Sequence, residues 1–382
     1  MIDMLSSLID IFKIRQGFNA LTGLIQLAAG IGDDQQFVAT LRRAVLPLPS
    51  DPHSVAEDPF PPLRPSEITA LSGRRLALMA TGGSGALASV VGVARAMEES
   101  GLRPDVISTC SGSALFGFPL GAGLTAGEAA TFLLSLTARD YVDIDWLGLA
   151  KVVPTLGRGF AGAVKGDALE ATYRRLLGDM TLGELEIPTY APIWNIEENR
   201  VDFLGPRTYP DLAVARAIRL AVTIPLFIDP VPLEGKHWCD GGIVDIFPVR
   251  PVLDLEPPPD LVLGVNGFYP PDFAGEDVSG WRDKPMSIVH AAGQLGTCQQ
   301  IELARANLAR LRAAAEVHMI DPVPYQKVRG VGFYRQFLDN SEWAAFMRAG
   351  RELALAALHD AAGTDGAAGN PPGNPAGMGA AR

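Results

Sequence analysis

Cysteine is scarce in this chain: Cys110, Cys239 and Cys298 are the only three, and none stands in a C-x-x-C spacing. That excludes a disulfide framework and a cysteine-rich zinc site, and fits a reducing, cytoplasmic setting. The five histidines, His53, His237, His290, His318 and His359, are scattered without ligand spacing, so neither a metal nor a cofactor is expected. Basic residues are outnumbered, with Lys+Arg 32 against Asp+Glu 43 and a formal net charge of -11. A nucleic-acid surface needs a basic stripe to displace counterions, and Arg42-Arg43 and Arg74-Arg75 are isolated pairs. Nucleic-acid binding is therefore excluded. A long apolar run is missing too: Asp3, Asp10, Lys13 and Arg15 interrupt the N-terminal stretch, which falls short of the roughly 18 apolar residues of a membrane span.

What the chain does have is apolar material in quantity, 48% hydrophobic against 20% charged residues, enough for a large core. In the first thirty residues Leu5, Leu8, Ile9 and Phe12, then Leu21, Leu24, Ile25 and Ala28, follow helical spacing. Such a stripe packs on the body of the protein or on a partner, and its sharper reading is peripheral membrane contact through residues 1–30. Residues 44–73 are Pro-rich and unpatterned, which reads as a linker or a wrapping arm.

From Leu76 the pattern becomes strand (LALMA), Gly-rich turn (TGGSG), helix (ALASVVGVARAMEESG) and strand (DVIST). This βαβ unit predicts an α/β fold, a three-layer α/β/α sandwich with a mainly parallel central sheet. APIWN and VDFLG read as a further pair of strands, and EWAAFMRAGRELALAALHDA as the last amphipathic helix. The expected organisation is an N-terminal helical and Pro-rich extension over 1–74, one α/β domain over 75–362, and a disordered Gly/Pro/Ala tail over 363–382.

Three stretches carry chemistry. TGGSGALAS lies between a strand and a helix, where Gly-rich backbone turns N–H groups toward a negative oxygen. Gly83, Gly85 and Ala88 match a dinucleotide fingerprint, but that motif wants an acid at the end of the second strand, which here ends in Thr109-Cys110. The other reading is an oxyanion hole built on Gly82, Gly83, Ser84 and Gly85. DVISTCSGSALFG drives a buried strand into small residues. A nucleophile elbow needs that crowding of small neighbours, which Ser111 has, whereas Ser113 is followed two residues on by the bulky Leu115. The same stretch also suits a plain turn with Ser111 capping the next helix. HWCDGGIVDIFPV ends a short strand in Asp240-Gly241-Gly242, either a turn or a carboxylate held as general base.

In this order the three stretches resemble the patatin-like phospholipase family. Its elbow text, of the type D-V-I-x-G-T-S-A-G-A-L, lies over DVISTCSGSAL without a gap and sets the nucleophile at Ser111, with Gly112 in support. Its G-G-G-x-R-G lies over Gly82–Leu87, and its Asp-Gly-Gly over Asp240, Gly241 and Gly242. The sequence departs from the family at Thr109 and Ser113, which replace the elbow glycines, and at Ala86, where the family has a basic residue.

The resemblance implies a patatin-like fold and a serine acyl hydrolase working with a Ser111–Asp240 dyad on an acyl lipid or ester, without metal or cofactor. With the basic residue gone from the loop, a neutral ester or thioester gains weight as substrate. A lipid-binding protein of this fold with impaired catalysis, and an acyltransferase or thioesterase using the same serine, are the alternatives. His237, three residues before Asp240 on a strand, is expected to face the other side of the sheet and to take no part.

Overall fold

A computed structural model describes residues 58–367, apart from 157, 271, 276–278, 284–286 and 329–330. The amphipathic stretch 1–30, the first part of the Pro-rich segment and the end of the tail lie outside the described residues. The elements that position the site begin with strand β1 (Leu76–Ala80), helix α1 (Ser89–Glu99), strand β2 (Val106–Ser108), helix α2 (Ala114–Gly121) and helix α3 (Ala126–Ser135). Next come α4 (Trp146–Thr155), β3 (Gly162–Val164), α5 (Asp167–Leu177), β4 (Thr189–Asn195), β5 (Arg200–Leu204) and α6 (Val214–Ala221). The strands β6 (Leu226–Ile228), β7 (Val231–Leu233) and β8 (Lys236–Asp240) lead to α7 (Arg250–Leu253) and β9 (Leu261–Val265). The chain closes with α8 (Ser287–Arg312), β10 (Glu316–Ile320), α9 (Val331–Leu338) and α10 (Trp343–Ala367).

The main sheet has the order β10-β9-β1-β2-β4-β8-β7, with β5 also paired to β4. Its first five strands are mutually parallel, whereas β5 and β8 run antiparallel to β4. Every residue of β1 and β9 is buried, as parallel strands covered on both faces require. The alternation along β1 sorts its side chains between two cores. Leu76, Leu78 and Ala80 enter the larger one with α1, α2, α3 and α10, while Ala77 and Met79 meet Val249, Val252, Leu308 and Leu311 on the opposite face. Two helical layers around a mainly parallel sheet are the expected sandwich.

The Pro-rich segment acts as a wrapping arm where it is described. Arg95 donates to the carbonyl of Pro61 at 2.6 Å and stacks on Phe60, and the Ser66 N–H donates to Glu99 O at 2.6 Å. At the other end α10 runs to Ala367, a turn beyond the expected start of the tail. It packs on α1 so closely that a Cβ on Gly92 would stand 1.8 Å from Met347 O. That approach ties the C-terminal helix to the first βαβ unit.

Candidate active site

The sheet register decides which loops meet. β2 pairs with β4 only as far as Ser108 with Tyr190, and β4 then continues beyond it to Asn195. Antiparallel β8 uses that overhang, with Asp240 opposite Ile193. Ser111 lies three residues past Ser108, and Ile193 three past Tyr190, so the end of β8 brings Asp240 to the height of the turn after β2. The glycine-rich loop after β1, on the other side of β2, completes the cluster at the carboxyl ends of the parallel strands, where open α/β sheets place their ligand crevice.

Ser111 sits on a sharp turn. Its φ is 52°, in the left-handed region that a non-glycine residue avoids, while Cys110 before it is extended with φ -147°. The turn is pinned on both sides. Thr109 gives its N–H and its hydroxyl to Tyr190 O at 2.8 and 2.9 Å. Ser113 Oγ accepts the Cys110 N–H at 2.7 Å and donates to Cys110 O at 2.8 Å. The Ser113 hydroxyl is thus consumed in capping the turn, and of the two serines it is Ser111 that stands beside a carboxyl group: a Cβ on Gly242 would lie 3.4 Å from Ser111 Cβ and 3.0 Å from Asp240 Oδ1.

Both partners are buried, Asp240 at 2% exposure and Ser111 at 6%. Burial drives the Asp240 carboxyl up to about 7, against the lowering pull of the neighbouring Ser111 and of the Gly242 N–H, which donates to Oδ1 at 2.7 Å. Gly242 and Gly82 make room beneath the pair. A Cβ on Gly242 would stand 2.6 Å from Cys110 Sγ, and one on Gly82 3.1 Å from the same sulfur. Cys110 is a fully buried packing residue whose thiol is raised by the loss of water around it, and Cys239 is likewise pushed up to about 12.

The glycine-rich loop abuts the elbow. A Cβ on Gly112 would come within 2.1 Å of Gly83 O, so only glycine permits this contact. The N–H groups of Gly83, Ser84 and Gly85 meet no acceptor among the described residues. Gly82 differs from the expectation: its N–H already donates to Ile246 O at 2.8 Å, which removes it as an oxyanion donor. Gly241 presses on the backbone of Pro192 and Ile193, and Gln300 of α8 donates to Gly242 O at 2.7 Å.

His237 points elsewhere, with its exposed ring bonded through Nδ1 to Glu197 at 2.6 Å. Among the described residues no three His, Cys, Asp or Glu side chains gather as a metal site would require, and no helix is long and apolar enough to cross a membrane. Sequence reasoning missed Gln336 of α9, which is 4% exposed and holds the glycine-rich loop. An isolated glutamine in a helix carries no local signal of that contact.

Comparison with known proteins adds a family. Residues 78–253 match the family model described as patatin-like phospholipase. The chain is 23% identical over 229 residues to patatin-like phospholipase domain-containing protein 7 of Rattus norvegicus, across 58% of this chain and 16% of that protein. It is 24% identical over 297 residues to lysophospholipase NTE1 of Cryptococcus neoformans, across 74% of this chain and 17% of that protein. The chain thus spans about a sixth of the length of these relatives. Among solved structures, VipD from Legionella pneumophila aligns at 14% identity and a TM-score of 0.41, over 75% of this chain and 67% of that one. ExoU of Pseudomonas aeruginosa, in complex with SpcU, aligns at 15% and 0.40, over 78% and 53%.

Proposed function

Residues 78–253 are a patatin-like phospholipase domain, and from that premise we propose that the chain is a serine acyl hydrolase with a Ser111–Asp240 dyad. One observation carries the reading: a buried serine held at positive φ beside a buried carboxyl raised to about 7. A structural turn has no use for either the strain or the buried charge.

In the proposed reaction Asp240 takes the Ser111 proton as Oγ bonds to the acyl carbon, and the carbonyl oxygen becomes an oxyanion facing the N–H groups of Gly83, Ser84 and Gly85. Collapse breaks the ester bond, and the leaving alkoxide takes the proton from Asp240. Water then attacks the acyl-enzyme, giving its proton to Asp240. The second collapse releases the carboxylic acid and returns the proton to Ser111. A carboxyl near 7 suits both halves, because it is partly ionised at neutrality and also a competent acid.

The naming of one relative as a lysophospholipase makes lysophospholipid the first substrate to try. The test is turnover of a lysophospholipid and of p-nitrophenyl esters of rising chain length by pure protein, alongside fluorophosphonate labelling. Turnover and labelling are expected in the unmutated protein and absent in Ser111→Ala. If neither depends on Ser111, the hydrolase reading fails and a lipid-binding protein of this fold takes its place. If acyl transfer to an added alcohol outruns hydrolysis, the same serine serves an acyltransferase.

A further inference from the structure

The oxyanion loop expected of the hydrolase has almost no side chains with which to hold its own shape. Gly82, Gly83, Gly85 and Ala86 have nothing to offer, which leaves the hydroxyl of Ser84. Free amides on a floppy loop make poor oxyanion donors, because donors stabilise developing charge only when they are already aimed. Something outside the loop must order it.

We propose that Gln336 is that positioning residue, a buried clamp that sets the loop from the C-terminal part of the chain; the proposal rests on the hydrolase reading above. Its Oε1 accepts the Ser84 hydroxyl at 2.6 Å and the Ala86 N–H at 3.0 Å. Its Nε2 donates to Lys327 O at 3.0 Å, which fixes the amide's orientation and directs the oxygen toward the loop. Its own carbonyl accepts the Trp343 indole N–H at 3.1 Å. The next residue is held as well, since the Tyr141 hydroxyl donates to Phe337 O.

The fit leaves no slack at Gly85, where a Cβ would lie 2.2 Å from Trp343 Nε1 and 2.5 Å from Gln336 O. On its other side the loop meets Gly112, so it is held between the nucleophile's turn and the Gln336–Trp343 pair. The clamp grips the first turn of the helical segment after the loop and leaves the amides of Gly83, Ser84 and Gly85 without an acceptor among the described residues. Gln336 contacts neither Ser111 nor Asp240 by any hydrogen bond described, so its effect on chemistry runs through the loop alone.

The experiment pairs two near-isosteric variants with two readouts. Gln336→Met keeps the shape and loses every side-chain hydrogen bond. Gln336→Glu keeps an acceptor for Ser84 and Ala86, and when protonated keeps a donor for Lys327 O. Amide hydrogen exchange of the segment 82–88 reads the clamp whether or not the protein turns over substrate. It is expected to quicken about tenfold or more in Gln336→Met, with the β1 and β9 amides unchanged. In the ester assay kcat is expected to fall about tenfold to a hundredfold with KM nearly constant, because the interaction matters chiefly in the transition state. Gln336→Glu is expected to approach wild-type kcat at low pH and to lose ground as pH rises and a carboxylate faces Lys327 O. That pH-dependent ratio is a signature that lost packing does not produce. Unchanged exchange in Gln336→Met overturns the clamp. Quickened exchange with undiminished Ser111-dependent turnover overturns its role in the reaction. If the unmutated protein has no Ser111-dependent turnover, the hydrolase reading falls and takes that role with it, while the exchange result still decides whether Gln336 holds the loop.

Discussion

Replacing Asp240 by asparagine should abolish the reaction and stabilise the protein, and the two effects come from one physical cause. The carboxyl stands at about 7 in the fold against an ordinary 3.8, because burial penalises its charged form. At about 1.4 kcal/mol for each tenfold change in proton affinity, holding it ionised in the fold costs on the order of 4 kcal/mol at pH 8. The sign follows from proton binding. Between pH 4 and 7 the folded state holds the proton and the unfolded state has released it, so stability is lost as pH rises through this window. Asparagine carries no such charge. It keeps an oxygen for the Gly242 N–H, now at 2.7 Å from Oδ1, and puts a neutral amide nitrogen in place of the other carboxylate oxygen. Urea denaturation of both proteins at pH 5 and pH 8 measures the difference. Asp240→Asn should be more stable by about 1–2 kcal/mol at pH 5 and about 4 at pH 8, the latter on the order of 10 °C in Tm. At both pH values kcat should fall about a thousandfold or more with loss of the base. A variant that is less stable at pH 8, or whose advantage does not grow between the two pH values, refutes a buried ionisable Asp240.

The same carboxyl should shape the rate profile, because in the proposed reaction only its ionised form accepts the serine proton: kcat/KM is expected to rise with pH through an apparent pKa near 7. Asp245, pushed up to about 6 by burial, is the competing source of that limb, so the limb should persist in Asp245→Asn. Gly112→Ala puts a methyl 2.1 Å from Gly83 O and must push the loop from the elbow, with an expected loss of about a hundredfold in kcat in a protein that still folds. An unchanged kcat would place the oxyanion donors elsewhere. Ser113→Ala removes the cap on Cys110 at a cost of about 1 kcal/mol, yet should still be labelled by a fluorophosphonate, unlike Ser111→Ala.

How far the sequence can be read depends on whether a feature is local. The βαβ start, the elbow and the end of β8 announce themselves, because a buried strand running into small residues has few uses and β1 is a short, wholly apolar run that ends in a Gly-rich turn. The local text alone leaves Ser111 and Asp240 open between a site and plain turns; the family resemblance singles them out, and the register of β2, β4 and β8 sets them side by side. Contacts made across the chain leave no such trace. Nothing near Gly82 reveals that its N–H is spent on Ile246 O, and nothing around Gln336 reveals that its amide reaches Ser84. The extent of the last helix escaped for a different reason. GTDGA is poor helix text, but it continues α10, whose Leu358 and Ala361 are buried in the main core.

Thr109 and Ser113 look like losses beside the family's elbow glycines, and their geometry argues otherwise. Glycine is needed where φ is positive, and at this turn the positive φ falls on Ser111 itself, whereas Ser113 has an ordinary -68°. A non-glycine residue in that region costs roughly 1–2 kcal/mol, which the surroundings must hold. The two substituted positions supply the hold. Thr109 closes a second bond onto Tyr190 O and ties the turn to β4, the strand that also carries Asp240's neighbour. Ser113 closes the other side onto Cys110. Glycine at either place would leave those backbone contacts unmade and enlarge the freedom of the unfolded chain. The hydroxyls therefore do for the strained serine what conformational freedom cannot, by fixing the residues on both sides so that the strain stays on the atom-bearing residue between them.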